Sequence, residues 1–67
     1  MSIKGILKQA YETGDFVTIT TNQSVYTEAT VMSLTDEEVE INALHSIKDI
    51  NYDFSIPFST IETVEFE

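Results

Sequence analysis

Residues able to do chemistry are few and thinly spread along this chain. His45 is the only imidazole, and there is no cysteine. A nucleophilic site sets a serine or cysteine beside a base that a third group orients. The serines and threonines here instead alternate along strand-like stretches, and none sits on a nucleophile elbow. Carboxylates are plentiful, yet general acid–base work needs one tuned by burial, and these fall in turns and on outward faces. The densest oxygen-donor run is Asp36-Glu37-Glu38, with Glu40 close by. A calcium loop alternates its ligands and turns on a glycine, and this run does neither. Gly5 and Gly14 are the only glycines, so no glycine-rich phosphate cradle can form. The chain therefore reads as a non-enzyme without metal or cofactor.

Binding is what remains. The net charge is −9, with twelve acids set against Lys4, Lys8 and Lys48 and no arginine. Nucleic-acid affinity is driven by Lys and Arg displacing counterions, so a monomer of this composition is a poor nucleic-acid binder. The acidity reads as a solvated face, as a surface for a basic protein, or as mimicry of nucleic-acid charge. Among the aromatics, Phe16, Phe54 and Phe66 read as core. Tyr26 and Tyr52 read as half-exposed on strands, where single-stranded bases could stack.

The chain's 67 residues make one domain, and a domain this small buries only about 60% of its unfolded surface. Such domains add disulfides, metals or further subunits. Without cysteine or a metal site, homo-oligomerisation is the remaining support. The apolar fraction of 42% argues against disorder. No apolar run approaches the roughly 20 residues of a membrane span, so no membrane partner is expected. Met1-Ser2-Ile3-Lys4 does not lead into a signal peptide, and the lack of cysteine suits a reducing cytoplasm.

The elements that must position any binding surface follow from hydrophobic period. Ile3, Ile6, Leu7, Ala10 and Tyr11 recur at helical spacing, which predicts a helix over 3–12 with Ser2 as N-cap and Gly14 as stop. Lys4 and Lys8, four apart, share its exposed side. The period then changes to two, predicting strands over 16–21, 24–34, 39–44, 52–56 and 61–66. In the long second strand Val25, Thr27, Ala29 and Val31 would share one face, and Tyr26, Glu28, Thr30 and Met32 the other. Asn22-Gln23 and Thr35-Asp36-Glu37-Glu38 read as polar turns, 45–51 as a loop or hairpin end, and Pro57-Phe58-Ser59-Thr60 as one 3₁₀ turn. One helix and five short antiparallel strands predict a mostly β, strongly bent SH3-like barrel.

That order, carried by VTITTNQSVYTEATVMSLTDEEVEI and FSIPFSTIETVEF, resembles the Sm-like proteins, in particular their bacterial Hfq-type branch. Thr27, Ala29 and Val31, then Asp36, Val39, Ile41 and Asn42, are similar to the family's first motif, and 56–64 to its second. Ala29 stands where the family bends its second strand at a glycine. Pro57-Phe58 stands where the Hfq-type uridine pocket has lysine and histidine, and the arginine–glycine of other Sm proteins is missing. The resemblance implies a barrel whose edge strands join subunits into a ring. It also implies a site for single-stranded RNA at Thr35, Asp36 and Asn42 together with Pro57, Phe58 and Ser59. Lys4 and Lys8 would make the phosphate contacts. The competing expectation is an acidic protein-interaction or inhibitor module, of phage or mobile-element type, that engages a basic protein surface.

Overall fold

The computed structural model describes residues 2–45 and 50–67. It opens with helix α1 (Ile3–Thr13). Ser2 is extended and its Oγ accepts the Gly5 N–H at 3.0 Å, satisfying one of the unpaired donors of the first turn. Gly14 adopts φ 76° and its N–H donates to the Ala10 carbonyl at 2.8 Å, which ends the helix in a left-handed cap. Leu7 and Ala10 are fully buried, with Ile3 and Ile6 packed beside them. Tyr11 falls at the edge of that stripe and is exposed.

Five strands follow: β1 (Val17–Thr21), β2 (Val25–Leu34), β3 (Glu38–His45), β4 (Ile50–Pro57) and β5 (Ile61–Phe66), with a 3₁₀ turn at Phe58–Thr60. They form one sheet in the order β4-β3-β2-β1-β5, antiparallel throughout. The sheet is open, not a closed barrel, and β4 and β5 are its two edges. These strands are consecutive in sequence, but the 3₁₀ turn between them is pinned at both ends. The Phe58 N–H donates to the Glu37 carbonyl and the Thr60 carbonyl accepts the Asn22 N–H. Each strand is thereby held to a different hairpin turn instead of to the other. The expected loop at 45–51 is partly strand, since β3 runs through His45 and β4 starts at Ile50. Positions 46–49 of that loop lie outside the described residues.

The β1–β2 and β2–β3 turns are each built on a threonine. Thr21 and Thr35 each donate their N–H to the carbonyl three residues on, at 2.8 and 2.9 Å. Each threonine Oγ1 also accepts the N–H groups of the residues two and three positions on and donates to that same carbonyl. The hydroxyl's whole hydrogen-bonding capacity is spent inside the turn, so T-x-x-S and T-x-x-E fold alike.

The core lies on one face of the sheet under α1. Val17, Ile19, Ala29, Val39, Ile41 and Ala43 are fully buried, and Val31, Ile56, Ile61 and Val64 nearly so. Strand β2 reaches this face only by breaking its period. Thr27 pairs with Leu44 and Thr30 with Asn42, so three steps along β2 match two along β3. The extra residue is Glu28, at φ 50°. A bulge of this kind moves every later side chain to the opposite face. Tyr26 therefore points into the core before it, Ala29 and Val31 after it, and Val25 is left exposed. The expected faces of 24–34 are corrected accordingly, and the bend falls at Glu28, one residue before Ala29. A second shift places the exposed Met32 between Val31 and Ser33.

Glu67 locks the first bulge. Its Oε2 accepts the Glu28 N–H and, at 2.9 Å, the Thr18 hydroxyl, while its own N–H donates to the Phe16 carbonyl at 3.1 Å. Two of the phenylalanines expected in the core are not there. Phe16 is 53% exposed and precedes β1, and Phe66 is 40% exposed at the end of edge strand β5. Alternation assigns a side chain to a face, but at an edge that face has no neighbour to cover it. Phe54 is half-buried against the core. No helix among the described residues is long and apolar enough to cross a membrane.

The two left-handed positions respond oppositely to exchange of glycine. A side chain in this region costs about 1 kcal/mol, so Glu28→Gly should raise the denaturant midpoint. Gly14→Ala should lower stability by a similar amount through backbone strain alone, because an added Cβ meets nothing within 4 Å. Urea titrations followed by circular dichroism would check both; a loss of stability in Glu28→Gly would contradict the bulge.

Candidate functional site

The turn residues singled out in the sequence converge at one end of the sheet. The Thr35–Glu38 turn lies beside the 3₁₀ turn through the bond from the Phe58 N–H to the Glu37 carbonyl, 3.0 Å. Pro57 stands opposite Glu38 at the end of the β3–β4 ladder. Lys4 reaches over from the first turn of α1. Its Nζ donates to the Asp36 carbonyl at 3.1 Å and sits 5.0 Å from the centre of the Phe58 ring. Lys4, Thr35, Asp36, Pro57, Phe58 and the exposed Ser59 thus form one group.

Two expected members stand outside it. Asn42 lies in mid-β3, four residues or about 13 Å along the strand from Glu38. Its amide donates to the Asp53 carboxylate at 3.0 Å, across the β3–β4 ladder. Lys8 is exposed one helical turn beyond Lys4 and takes no part in these contacts.

Chemically the group is a clasp before it is a receptor. The ring of Phe58 is half-buried against the core, and the cation over it occupies a position that a stacked base would need. The same ammonium that would meet a phosphate directs one of its three donors to a backbone carbonyl. No group of three or more metal-ligating side chains exists among the described residues.

Next to the clasp is a groove of about 320 Å³ between the β1–β2 turn and β4. Asn22, Gln23, Ser55 and Thr60 form its polar wall and Tyr26 and Ile56 line it too; no lining side chain is charged. In so acidic a chain this is a distinctive neutral surface. The sequence marks it only as a polar turn, because Tyr26 comes to this side through the bulge.

The sheet edges are the other candidate surface. On β4, Tyr52, Phe54 and Ile56 pair with Ala43, Ile41 and Val39 and so share the core face. On β5, Val64 and Phe66 pair with Ile19 and Val17 and share it as well. Each edge therefore carries a core-side aromatic that is incompletely covered, Tyr52 at 38% and Phe66 at 40% exposure. Tyr52 stands edge-on to Phe54 at 6.2 Å, and Phe54 meets Tyr26 at 4.7 Å. The opposite face of the same strands carries Asp53 and Glu65.

No family model, curated protein or solved structure matches the chain.

The clasp makes a measurable claim. Exposed cation–π pairs contribute about 0.5–1 kcal/mol, so Lys4→Ala and Phe58→Leu should show coupling of that size in a double-mutant cycle of unfolding free energies. Strictly additive effects would show that the ammonium and the ring do not interact.

Proposed function

We propose that this protein is a non-enzymatic, Sm-like binding or scaffold module, working in the cytoplasm, whose subunits join edge to edge through β4 and β5 into a ring. The observation that carries the reading is the pair of open edges, each carrying a half-exposed aromatic on the core-facing side. An unpaired strand is a template for another strand. A second copy supplies both the hydrogen bonds and the apolar cover that a small core lacks. Two different edges on one subunit make a head-to-tail contact, which closes when the rotation per subunit allows it. The element order supports the Sm-like part of the reading: helix, strand, a long second strand bent at Glu28, two further strands, a proline-led 3₁₀ turn and a last strand.

Static light scattering at micromolar concentration should give a mass several times that of the 7.6 kDa chain. Phe66→Ser, which removes apolar cover from one edge only, should shift the species toward monomer while leaving the circular dichroism spectrum unchanged. A wild-type protein that stays monomeric would sink the reading.

Weak single-stranded RNA binding at the clasp is the ligand part of the proposal. A ring would repeat Lys4 and Lys8 around one surface and gather positive charge that one subunit lacks. Oligo-U should then bind at about 50 mM salt and release as salt rises, since phosphate contacts are counterion-driven. Lys4→Ala and Lys8→Ala should each weaken it. Absence of binding at low salt removes RNA and leaves the scaffold.

A second reading has its own support. Glu38, Glu40 and Asp53 share the face turned from the core, as do Glu65 and Glu67. Carboxylates gathered on one outer face are what an acidic module engaging a basic protein, or mimicking phosphates, requires. A monomer that binds a basic protein and no RNA would favour it.

A further inference from the structure

The neutral groove between the β1–β2 turn and β4 has the size, lining and rigidity of a small-ligand site. Its volume of about 320 Å³ lies at the lower end of the roughly 300–1,000 Å³ usual for such sites, which suits one or two rings. Asn22 and Gln23 belong to its wall and are exposed. Their side-chain amides make no hydrogen bond among the described residues. The backbone that carries them is pinned. The Gln23 N–H donates to the Thr21 hydroxyl at 3.2 Å, and the Asn22 N–H donates to the Thr60 carbonyl at 3.1 Å. Two unspent amides are thus offered from a fixed turn, so little backbone freedom is lost when a ligand meets them. Tyr26, Ile56 and Pro57 supply the apolar part of the lining. The half-buried Tyr26 ring is itself held against Phe54, with centroids 4.7 Å apart.

The lining selects its ligand by chemistry. No side chain in it is charged, so a cation finds no partner there, and an anion meets the field of a chain of net charge −9. What fits is uncharged. A carboxamide both donates and accepts hydrogen bonds, and so does a hydroxyl. Two neighbouring hydroxyls on a ring satisfy one amide at both of its ends. Apolar lining beside such amides calls for a ligand with one polar and one apolar side. A sugar ring has both, hydroxyls around its rim and C–H groups across its face. A nucleobase instead needs an open aromatic face for stacking, and the Tyr26 ring already packs on Phe54. We propose that this groove binds a neutral sugar unit, with Asn22 and Gln23 taking its hydroxyls and Tyr26 and Ile56 its C–H face. This site goes beyond the assembly reading and does not depend on it.

The test is proton–nitrogen correlation NMR of the whole chain, titrated with glucose, galactose, mannose, N-acetylglucosamine, maltose and cellobiose. At least one sugar should give saturable shifts at the groove, the side-chain amide signals of Asn22 and Gln23 among them, with a Kd of about 1–10 mM. Asn22→Ala and Gln23→Ala should each weaken that binding about three- to tenfold, the loss of one neutral hydrogen bond. Asn51→Ala, on β4 but outside the groove lining, should leave it unchanged. The affinity should hold between about 0.01 M and 1 M sodium chloride, because salt does not screen an uncharged ligand. Uridine, a neutral nucleoside, and glucuronate, an anionic sugar, should both bind more weakly than the best sugar. The proposal is overturned if no sugar gives saturable shifts by about 100 mM, or if both alanine variants at the turn bind as well as the wild type. Tighter binding of uridine than of every sugar would overturn it too, by making the groove a base site.

Discussion

A single backbone reversal of period, at Glu28, governs how this small sheet closes over its core. With Glu28 in the left-handed region, β2 changes the face it buries partway along. One strand then contributes Tyr26 to the core before the bulge and Ala29 and Val31 after it. Without that step, either the first half or the second half of β2 would turn its apolar side to water, since a one-residue slip exchanges the two faces. The conformation is held from outside by Glu67, which spans β1 to accept the Glu28 N–H and the Thr18 hydroxyl. A bulge leaves a backbone donor unpaired in the ladder, and a carboxylate is a strong acceptor for it. The penalty of a glutamate at positive φ is thus offset by a hydrogen bond that also ties β5 to β2 across β1.

The same economy shows in the turns. The β1–β2 and β2–β3 hairpins are each closed by a threonine whose hydroxyl is fully used, and each of these turns then supplies one backbone group to the 3₁₀ turn. Lys4 adds the helix to this arrangement through Asp36 and Phe58. A chain with few cations has set one of them over Phe58 and onto the Asp36 carbonyl, which ties the helix to the turns.

Local signals were the legible part of the sequence. Ser2 and Gly14 announced the helix ends because capping is decided by adjacent backbone groups. The 3₁₀ turn after Pro57 was legible for the same reason. What alternation could not convey was anything requiring a partner across space. It assigned Val25 to the face of Val31, because nothing in YTEAT marks Glu28 as the extra residue when no glycine is present. It placed Phe16 and Phe66 in the core, because apolar character says nothing about whether a strand lies at an edge. In the candidate site, the convergence of Thr35-Asp36 with Pro57-Phe58 followed from the resemblance. The capture of Lys4 and the departure of Asn42 to Asp53 did not, since both depend on which side chain reaches first.

The clasp and the edges are parts of one mechanical unit. Strands β4 and β5 are the two edges, and the chain passes from one to the other through Phe58–Thr60. The ladders through β3, β2 and β1 set the angle between the edges, and that short turn bridges it. It is fixed at its start by the Phe58 N–H on Glu37 and at its end by the Thr60 carbonyl on Asn22. Internally it is tightened by the Thr60 hydroxyl on the Pro57 carbonyl at 2.8 Å. A head-to-tail assembly closes only when every subunit repeats the same rotation, and a loose connector would give a distribution of rotations and open chains. Lys4 over Phe58 stiffens the one segment where such looseness would enter. The cation thus braces the connector between the two edge strands.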